Sequence, residues 1–261
     1  MTESPWCRRE MKVAVCLKRI PAPDGNIRLA ADAQGFDFSL VEWILNPPDE
    51  YALEAALRLC AQEPSSRLTA LSVGTRECEV LLRKALAVGA DEAVRIDAGG
   101  ASSHLAARLA AAELKGGRPD LVLCGGRALD DEQGLFPAAL ADVLGYPHVS
   151  GVCAIEKTGG ANQLSGQRRS DTGKHVLRIQ LPAVIACDRM AHELRVPTLK
   201  NRMAAKKRPI RTVQPDGTLQ EDDLERYRTG FGQPTERQPR KVWSSSGEAE
   251  IDELLGLLRA E

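Results

Sequence analysis

Four apolar, strand-like runs alternate with four helical patterns between residues 11 and 144. This alternation predicts an α/β fold with a mostly parallel, doubly wound sheet, because each helix returns the chain to start a neighbouring parallel strand. The runs are continuously apolar, which is typical of parallel strands covered by helices on both faces. Beyond residue 150 the helical patterns stop, and closely spaced strand-like segments predict antiparallel strands added to one side of the sheet.

The predicted parallel strands are short runs rich in valine and leucine, beginning with KVAVCLK directly after Met11. A glycine ends two of these predicted strands: Gly74 follows the second run and Gly125 follows the fourth. The strands are predicted at residues 12–18, 68–73, 93–96 and 120–124, and the helices at residues 46–60, 79–88, 103–115 and 134–144.

The first helix has the clearest start. Asn46 can cap it, and Pro47 fits the first helical position, where no hydrogen bond within the helix is lost. Asp49 and Glu50 place negative charge against the positive end of the helix dipole. Apolar residues then recur at helical spacing and define one buried face, at Ala52, Ala55, Ala56, Leu59 and Cys60.

The second half of the chain predicts strands at residues 152–156, 163–169, 175–180 and 183–188. Residues 212–245 carry many charges, prolines and glycines but few large apolar side chains, so they are expected to lie as an arm over a neighbour. A short amphipathic helix is predicted at residues 247–259. The chain is therefore divided into an extension (1–10), an α/β domain (11–211) and a C-terminal arm with its helix (212–261).

Composition narrows the functional classes. The 261 residues contain 35 basic and 36 acidic side chains, and this balance argues against a general nucleic-acid or membrane-surface binder. No apolar run approaches the roughly 18 residues that span a bilayer, and the N-terminus lacks the apolar region of a signal peptide. Seven cysteines without a CxxC pair predict reduced thiols, no zinc site and a cytoplasmic, bacterial-type location.

Candidate binding residues lie in loops that follow predicted strands. In a parallel sheet, ligands bind beyond the carboxyl ends of the strands. The candidate loops follow Cys16, span residues 45–49, surround Val73-Gly74 and span residues 125–131. Their small residues allow close backbone approach and the helix starts favour phosphate, so an adenine nucleotide suits them. Neither a GxGxxG motif nor a P-loop is present, so the glycines alone do not identify a nucleotide site. Structural turns are an alternative explanation for each of them.

Binding and assembly are favoured over catalysis. The four histidines are scattered without metal-ligand spacing, and no GxSxG motif occurs. Asp130 and Asp131 are adjacent, so their side chains are expected to point apart and to organise a loop. Two alternatives remain open from the residues alone: a stand-alone adenine-nucleotide-binding regulatory domain, and an enzyme using Asp130 or Asp131 as an acid or base.

Residues 195–211 carry seven positive charges and no negative one. Leu199 lies inside this segment, and an exposed apolar tip among cations suits docking onto an acidic partner. A solvated helix end or a nucleic-acid patch also explains the charge. The cations are Arg195, Lys200, Arg202, Lys206, Lys207, Arg208 and Arg211.

Several segments in order resemble the β subunit of electron transfer flavoproteins, from about Met11 to the C-terminus. The matching segments are KVAVCLKR, LNPPDEYALEAALRL, LLRKALAVGADEAVRI, DLVLCGGRALDD, LPAVIACDRM and VPTLKNRMAAKKRPI. The resemblance implies a nucleotide-binding α/β subunit that pairs with a larger α subunit. It implies that FAD, held mainly by the α subunit, passes electrons from flavin dehydrogenases to a quinone-linked or other acceptor. The β chain would be no catalyst by itself, with neither nucleic acid nor direct membrane insertion expected.

The resemblance also implies roles for individual residues. The β subunit holds AMP, or a second FAD in electron-bifurcating members. Residues 187–209 would recognise dehydrogenases, with Leu199 as the anchor and Arg195, Lys200, Lys206 and Lys207 guiding the encounter. The nucleotide contacts would be Cys16, Asn46, Pro47, Pro48, Asp49, Val73, Gly125, Gly126, Arg127, Ala128, Leu129, Asp130, Asp131, Glu132, Gln133, Gly134, Leu135 and Phe136.

One departure from the family pattern concerns the nucleotide phosphate. Ordinary members tend to have Thr-Gly-Gln where this chain has Phe136-Pro137-Ala138. The change removes a hydroxyl, a backbone N–H and a flexible glycine from that side of the expected site. Each lost donor to a charged phosphate costs about 1.5–3 kcal/mol. Weaker AMP binding, or replacement by other contacts, is therefore expected.

Overall fold

The structure is a computed structural model that describes residues 11–23, 28–30, 35–158, 162–215, 217 and 247–258. Within these residues the strands are β1 (Lys12–Cys16), β2 (Arg19–Pro21), β3 (Arg28–Leu29), β4 (Phe36–Asp37), β5 (Trp43–Leu45), β6 (Arg67–Val73), β7 (Glu92–Ile96), β8 (Leu121–Gly125), β9 (His148–Lys157), β10 (Gln163–Ser170), β11 (Gly173–Gln180), β12 (Ala183–Cys187) and β13 (Arg211–Val213). The helices are α1 (Pro47–Ala61), α2 (Glu79–Val88), α3 (Ser103–Gly117), α4 (Leu135–Leu144), α5 (Leu199–Lys207) and α6 (Glu248–Leu258).

The predicted doubly wound sheet is confirmed. Nine of the described strands form one sheet in the order β11-β10-β9-β12-β8-β1-β6-β7-β13. The pairs from β9 to β13 are parallel, whereas β10 pairs antiparallel with both β9 and β11. The antiparallel strands therefore lie at one side of the sheet, as the change of rhythm after residue 150 predicts.

The core lies on both faces of the sheet. Successive side chains of a strand point to opposite faces, so Val13 and Val15 of β1 pack with α1 and α2, whereas Ala14 and Cys16 pack with α3 and α4. All four of these side chains are at most 5% exposed. Burial on both faces is what the continuously apolar runs predicted.

Helix α1 begins where the sequence predicts, but Asn46 does not cap it with its side chain. The Asn46 carbonyl accepts hydrogen bonds from the backbone N–H groups of Asp49 (2.9 Å) and Glu50 (3.2 Å). Its amide side chain instead reaches the loop after β8, where it is 1% exposed. The side chain is used for a tertiary contact because β8 ends beside the start of this helix.

Two elements lie in segments without a strong periodic signal. Residues 188–198 contain neither helix nor strand, and α5 follows them, so Leu199 is the first residue of a helix rather than the tip of a loop. Strand β13 then pairs in parallel with β7, through Arg211 opposite Val94 and Val213 opposite Ile96. The predicted boundary between residues 211 and 212 falls inside this strand.

The chain divides into two compact units. One comprises residues 1–28 and 37–229 and contains the main sheet. The other comprises residues 29–36 and 230–261, and its helix α6 exposes Ile251, Leu254 and Leu255 by 42–49%. The predicted extension at 1–10 lies outside the described residues, as does the arm at 212–245 apart from residues 212–215 and 217.

Candidate functional site

A cavity of about 470 Å³ lies at the carboxyl ends of β1, β6, β7 and β8. This volume falls within the roughly 300–1,000 Å³ of small-molecule sites. The predicted site residues that line it are Cys16, Asn46, Asp49, Val73, Gly125, Arg127, Ala128, Asp130, Asp131, Gln133, Gly134, Leu135 and Phe136. Five others belong to the same loops but are outside the described lining: Pro47, Pro48, Gly126, Leu129 and Glu132.

Asp49, which lines the cavity, connects the first turn of α1 to the segments at the ends of β1 and β8. Its Oδ2 accepts a hydrogen bond from the Lys18 backbone N–H (2.8 Å), and its Oδ1 accepts one from the Gly125 backbone N–H (2.8 Å). Burial raises the pKa of Asp49 to about 7, although these two N–H groups and the charge of Lys18 act in the opposite direction. Asp49 therefore fixes the ends of β1 and β8 against the first turn of α1.

Asn46 holds the loop after β8 in a defined path. Its Nδ2 donates to the Arg127 carbonyl (3.0 Å), and its Oδ1 accepts from the Leu129 N–H (3.3 Å). Both polar ends of this buried amide are thus paired with backbone, as buried polar groups require. The loop following Gly125 is therefore anchored to α1 by Asn46, a residue that the sequence predicted as a helix cap and as a nucleotide contact.

Gly125 is required by the close approach of α1 to β8. A Cβ at this position would lie 2.7 Å from the Pro48 Cβ, 3.0 Å from the Asp49 backbone nitrogen and closer still to Asp49 Oδ1. A Cβ atom cannot be accommodated at such distances unless the neighbouring atoms of Pro48 and Asp49 shift. The glycine therefore has a packing role in addition to its place on the cavity wall.

Asp130 and Asp131 converge instead of pointing apart. Lys18 Nζ donates to Asp130 Oδ1 (2.8 Å) and to Asp131 Oδ2 (3.0 Å). Asp131 also accepts from Ser103 Oγ (3.1 Å) and from the Gln133 N–H (3.1 Å). Although burial raises it, these hydrogen bonds and the Lys18 charge hold the pKa of Asp131 below its ordinary value. The Lys18 ammonium draws the two carboxylates together. One ammonium and two carboxylates give this cluster a net charge of −1.

The wall formed by residues 98–103 has no counterpart among the sequence predictions. These residues follow β7 and line the cavity together with Thr75. Gly99 approaches so closely that a Cβ there would lie 2.7 Å from Thr75 Cγ2. Ser102 caps α3 by accepting a hydrogen bond from the Leu105 N–H (3.2 Å). The rule that ligands bind at strand ends, applied to β7 as to the other strands, is the signal that identifies this wall.

Two further lining residues, Arg19 and Trp43, belong to the short strands β2 and β5. The Arg19 guanidinium lies 4.3 Å from the centroid of the Trp43 ring, which is within the range of a cation–π contact. The Phe38 ring lies 5.2 Å from Trp43. The three-residue strands are too short to give a clear pattern, so the sequence predicted neither lining residue.

The cysteines at the strand ends are buried thiols. Cys16, Cys124 and Cys187 end or nearly end β1, β8 and β12, and each is at most 5% exposed. Burial raises the pKa of each thiol, and the charge of Asp49 raises it further. They are therefore neutral at physiological pH and act as small apolar groups beside the cavity.

The basic segment presents apolar side chains to solvent. Leu199 is 76% exposed and Met203, one turn later in α5, is 52% exposed. Val196, which precedes the helix, is 81% exposed. Lys200, Arg202, Lys206 and Lys207 surround them, and all four are exposed. The structure thus combines an apolar stripe with positive charge on one short helix.

The described residues contain neither a metal-binding cluster nor a helix that could span a membrane. No cluster of three or more histidine, cysteine, aspartate or glutamate side chains could hold a metal ion there. Within the same residues, none of the helices has the length and apolar character that crossing a bilayer requires.

The fold and the cavity together define a class: a doubly wound α/β domain with a cavity, of the size of small-molecule sites, at the carboxyl ends of its parallel strands. A family model described as electron transfer flavoprotein domain matches residues 36–217, more than half of the chain. The chain belongs to the electron transfer flavoprotein β-subunit family, which confirms the resemblance found in the sequence.

Three curated relatives, each named electron transfer flavoprotein subunit beta, illustrate this similarity. The protein from Syntrophomonas wolfei subsp. wolfei is 34% identical over 204 residues, covering 78% of this chain and 79% of the relative. The human protein is 33% identical over 211 residues, covering 79% and 82%. The protein from Bradyrhizobium diazoefficiens is 30% identical over 201 residues, covering 77% and 80%.

Proposed function

We propose that this chain is the β half of a heterodimer with a flavin-carrying α subunit. FAD, held mainly by the α subunit, would pass electrons from flavin dehydrogenases to a quinone-linked or other acceptor. The β chain contributes a wall of the complex, a structural nucleotide site and a docking surface, and it carries out no reaction itself. The strand-end cavity is the observation that carries the proposal, because its volume suits a bound small molecule and its polar side chains hold the surrounding loops together.

An adenine nucleotide, AMP in particular, suits the cavity. Cys16, Val73 and Cys124 give one side an apolar lining, while Thr75 and Gln133 supply polar atoms. Residues at the starts of α3 and α4 line the same space, and helix N-termini favour phosphate. A second FAD in place of AMP is the alternative that chemical analysis of the complex distinguishes.

The phosphate side of the site differs from the ordinary family pattern. Pro137 is the third residue of α4 and has no N–H to donate, and Phe136 places an aromatic ring on the lining. The Lys18 ammonium is already shared by Asp130 and Asp131, so it adds no net positive charge. We therefore propose that a bound nucleotide depends on the remaining backbone donors and is held less tightly than one contacted by a hydroxyl.

Co-expression with the cognate α subunit tests the proposal. We expect a yellow heterodimer with one FAD per complex, whereas the chain purified alone is colourless or weakly flavinated. Acid extraction followed by chromatography should release AMP as a second small molecule. A chain that stays monomeric in the presence of the α subunit, or a complex without flavin, contradicts the proposal and favours a stand-alone nucleotide-binding domain.

We also propose that α5 docks an acidic surface on a flavin dehydrogenase, with Leu199 entering an apolar pocket of that partner. Exposed charge steers association, whereas a buried apolar contact slows dissociation. The stripe formed by Val196, Leu199 and Met203 offers the contact, and the surrounding lysines offer the charge. The exposed apolar residues of α6 are in turn proposed to pack on the α subunit.

Substitutions on α5 separate the two contributions. Leu199→Ala should slow electron transfer from the dehydrogenase about tenfold without loss of FAD, since one buried apolar side chain contributes about 1.5–3 kcal/mol. The double variant Lys206→Glu/Lys207→Glu should chiefly lower the association rate and weaken its dependence on salt. Stopped-flow reduction of the complex at several ionic strengths measures both effects.

The matched control is Lys115→Glu/Lys174→Glu, which changes the net charge equally at exposed positions outside α5. This control should leave the association rate and its salt dependence near the wild-type values. If both α5 variants also react like the wild type, the docking surface lies elsewhere on the complex.

A further inference from the structure

The carboxylate of Glu54 is buried in α1 although it takes no part in the cavity. Its side chain is 4% exposed. Glu54 Oε2 accepts hydrogen bonds from the backbone N–H (3.2 Å) and Nε (2.9 Å) of Arg195, and Oε1 accepts from Arg195 Nη2 (2.8 Å). Arg58 Nε donates to Oε1 from the next turn of the helix (3.0 Å). Three of the four bonds thus hold one residue just before α5.

A second set of bonds holds the other end of α5. Arg83 of α2 donates from Nη1 to the carbonyls of Ala205 (2.8 Å) and Arg208. Arg208 in turn donates to the Ala90 carbonyl (2.7 Å) and to the Asp91 carbonyl, beyond the end of α2. Between these bonds Ala205 is 2% exposed against the core. The segment is therefore fixed to α1 before the helix and to α2 after it.

Helix α5 needs such external support. It has only nine residues, and isolated helices shorter than roughly 12–15 residues are marginal in water. Its sequence, LKNRMAAKK, contains four cations and no acidic residue, so charge repulsion opposes the helix. Thr198 supplies an N-cap by accepting from the Asn201 N–H (3.2 Å). A single cap does not compensate for short length and repulsion, so the bonds from Glu54 and Arg83 decide whether the helix persists.

We propose that Glu54 and Arg83 are positioning residues that hold α5 in its docking conformation before an acidic flavin dehydrogenase binds. This inference rests on the docking role proposed above for Leu199. The two residues act from beneath the helix, so Leu199 and Met203 stay exposed. A preformed helix lowers the conformational entropy lost on association, which strengthens binding without adding a contact.

Hydrogen exchange of backbone amides in the full-length chain tests the clamp without any partner. Glu54→Gln should make amides of α5 exchange about tenfold faster, while those of β1 and β8 stay protected. Arg195→Lys keeps the positive charge but loses the two-pronged geometry, so it should have a similar effect. Because both act on one interaction, the double variant should exchange no faster than the more affected single variant.

The matched control is Glu63→Gln, which removes an exposed ion pair with Lys157 away from α5. It should leave exchange in α5 at the wild-type rate. Arg83→Gln is a second test that leaves no buried carboxylate unpaired, and it should loosen the C-terminal half of α5. Wild-type exchange in α5 for Glu54→Gln and Arg83→Gln, or faster exchange throughout the sheet for both, overturns the inference.

Kinetics with a flavin dehydrogenase that reduces the wild-type complex tests the docking consequence. For Glu54→Gln and Arg83→Gln we expect KM for the dehydrogenase to rise up to about tenfold, with kcat and FAD content unchanged. A faster-exchanging α5 with an unchanged KM overturns the positioning role. If Leu199→Ala also leaves KM unchanged, the docking proposal fails. If Leu199→Ala raises KM while exchange in Glu54→Gln is normal, only the clamp fails.

Discussion

Replacing Gly125 by alanine is expected to lower the free energy of unfolding by about 3 kcal/mol and to abolish nucleotide binding. The added Cβ would lie 2.7 Å from the Pro48 Cβ and 3.0 Å from the Asp49 backbone nitrogen. Overpacking a closely packed site costs typically about 1–3 kcal/mol, and here the Asp49 carboxylate, the rigid Pro48 ring and the Asp49 backbone would all have to shift. Urea denaturation and nucleotide analysis of the purified complex measure the two effects.

Gly116→Ala in α3 is the matched control, because a Cβ there has no described atom within 4 Å. Because Gly116 lies in the last turn of α3, its replacement by alanine should stabilise the protein by at most the roughly 0.5–1 kcal/mol of a helix interior. If the Gly125→Ala variant is as stable as the wild type and keeps its nucleotide, then α1 does not need this close approach to β8.

Replacing Asp49 by alanine should have a comparably large effect. Two backbone N–H groups, those of Lys18 and Gly125, donate to its carboxylate and would lose their partners. Each unsatisfied buried donor costs about 1–3 kcal/mol, so a loss of about 2–6 kcal/mol is expected. Asp142 of α4 is exposed, so the control substitution Asp142→Ala should change the free energy of unfolding by no more than about 0.5 kcal/mol. Equal stability of the two variants would contradict the role assigned to Asp49.

The pH dependence of the Asp49→Asn variant provides an independent measurement. Burial raises the pKa of Asp49 from 3.8 to about 7, so the native state retains a proton that the unfolded state releases. Stability contributed by this group therefore falls as pH rises from about 4 to about 7. The asparagine variant has no titrating group here and leaves one N–H facing an amide N–H₂. The variant's free energy of unfolding should therefore fall furthest below that of the wild type near pH 4–5, and the difference should narrow towards pH 7. A difference that does not change with pH would contradict this assignment.

The strands and helices of the sheet could be predicted because their signals are local. Runs such as residues 13–17 are apolar throughout because both faces of the sheet are covered. Helix α1 follows Asn46 because Pro47 suits a first turn. Short elements such as β2 and β5 have three residues each, too few for a periodic pattern. Helix α5 has an internally unfavourable sequence and is held by Arg195 and Arg83, whose partners are 141 and 122 residues away.

The candidate site could be predicted in part for the same reason. Loops after apolar runs identify where strands end, and this placed Cys16, Val73 and Gly125 on the wall of one cavity. The partners of Lys18 are more than 100 residues away, so no local pattern brings it to Asp130 and Asp131. In the sequence, Asn46 has the position of a helix cap. In the structure its side chain instead donates to the carbonyl of Arg127, which is 81 residues away along the chain.

The sequence by itself determined the order of strands and helices, the loops that end beside the cavity and the family of the chain. These depend on residue type and spacing along the chain. The tertiary structure alone decided which side chains meet across those loops, as with Asp49 under Gly125 and Glu54 under Arg195. Such pairs form only after folding brings distant segments together, because burial then leaves each polar group no partner except the one beside it.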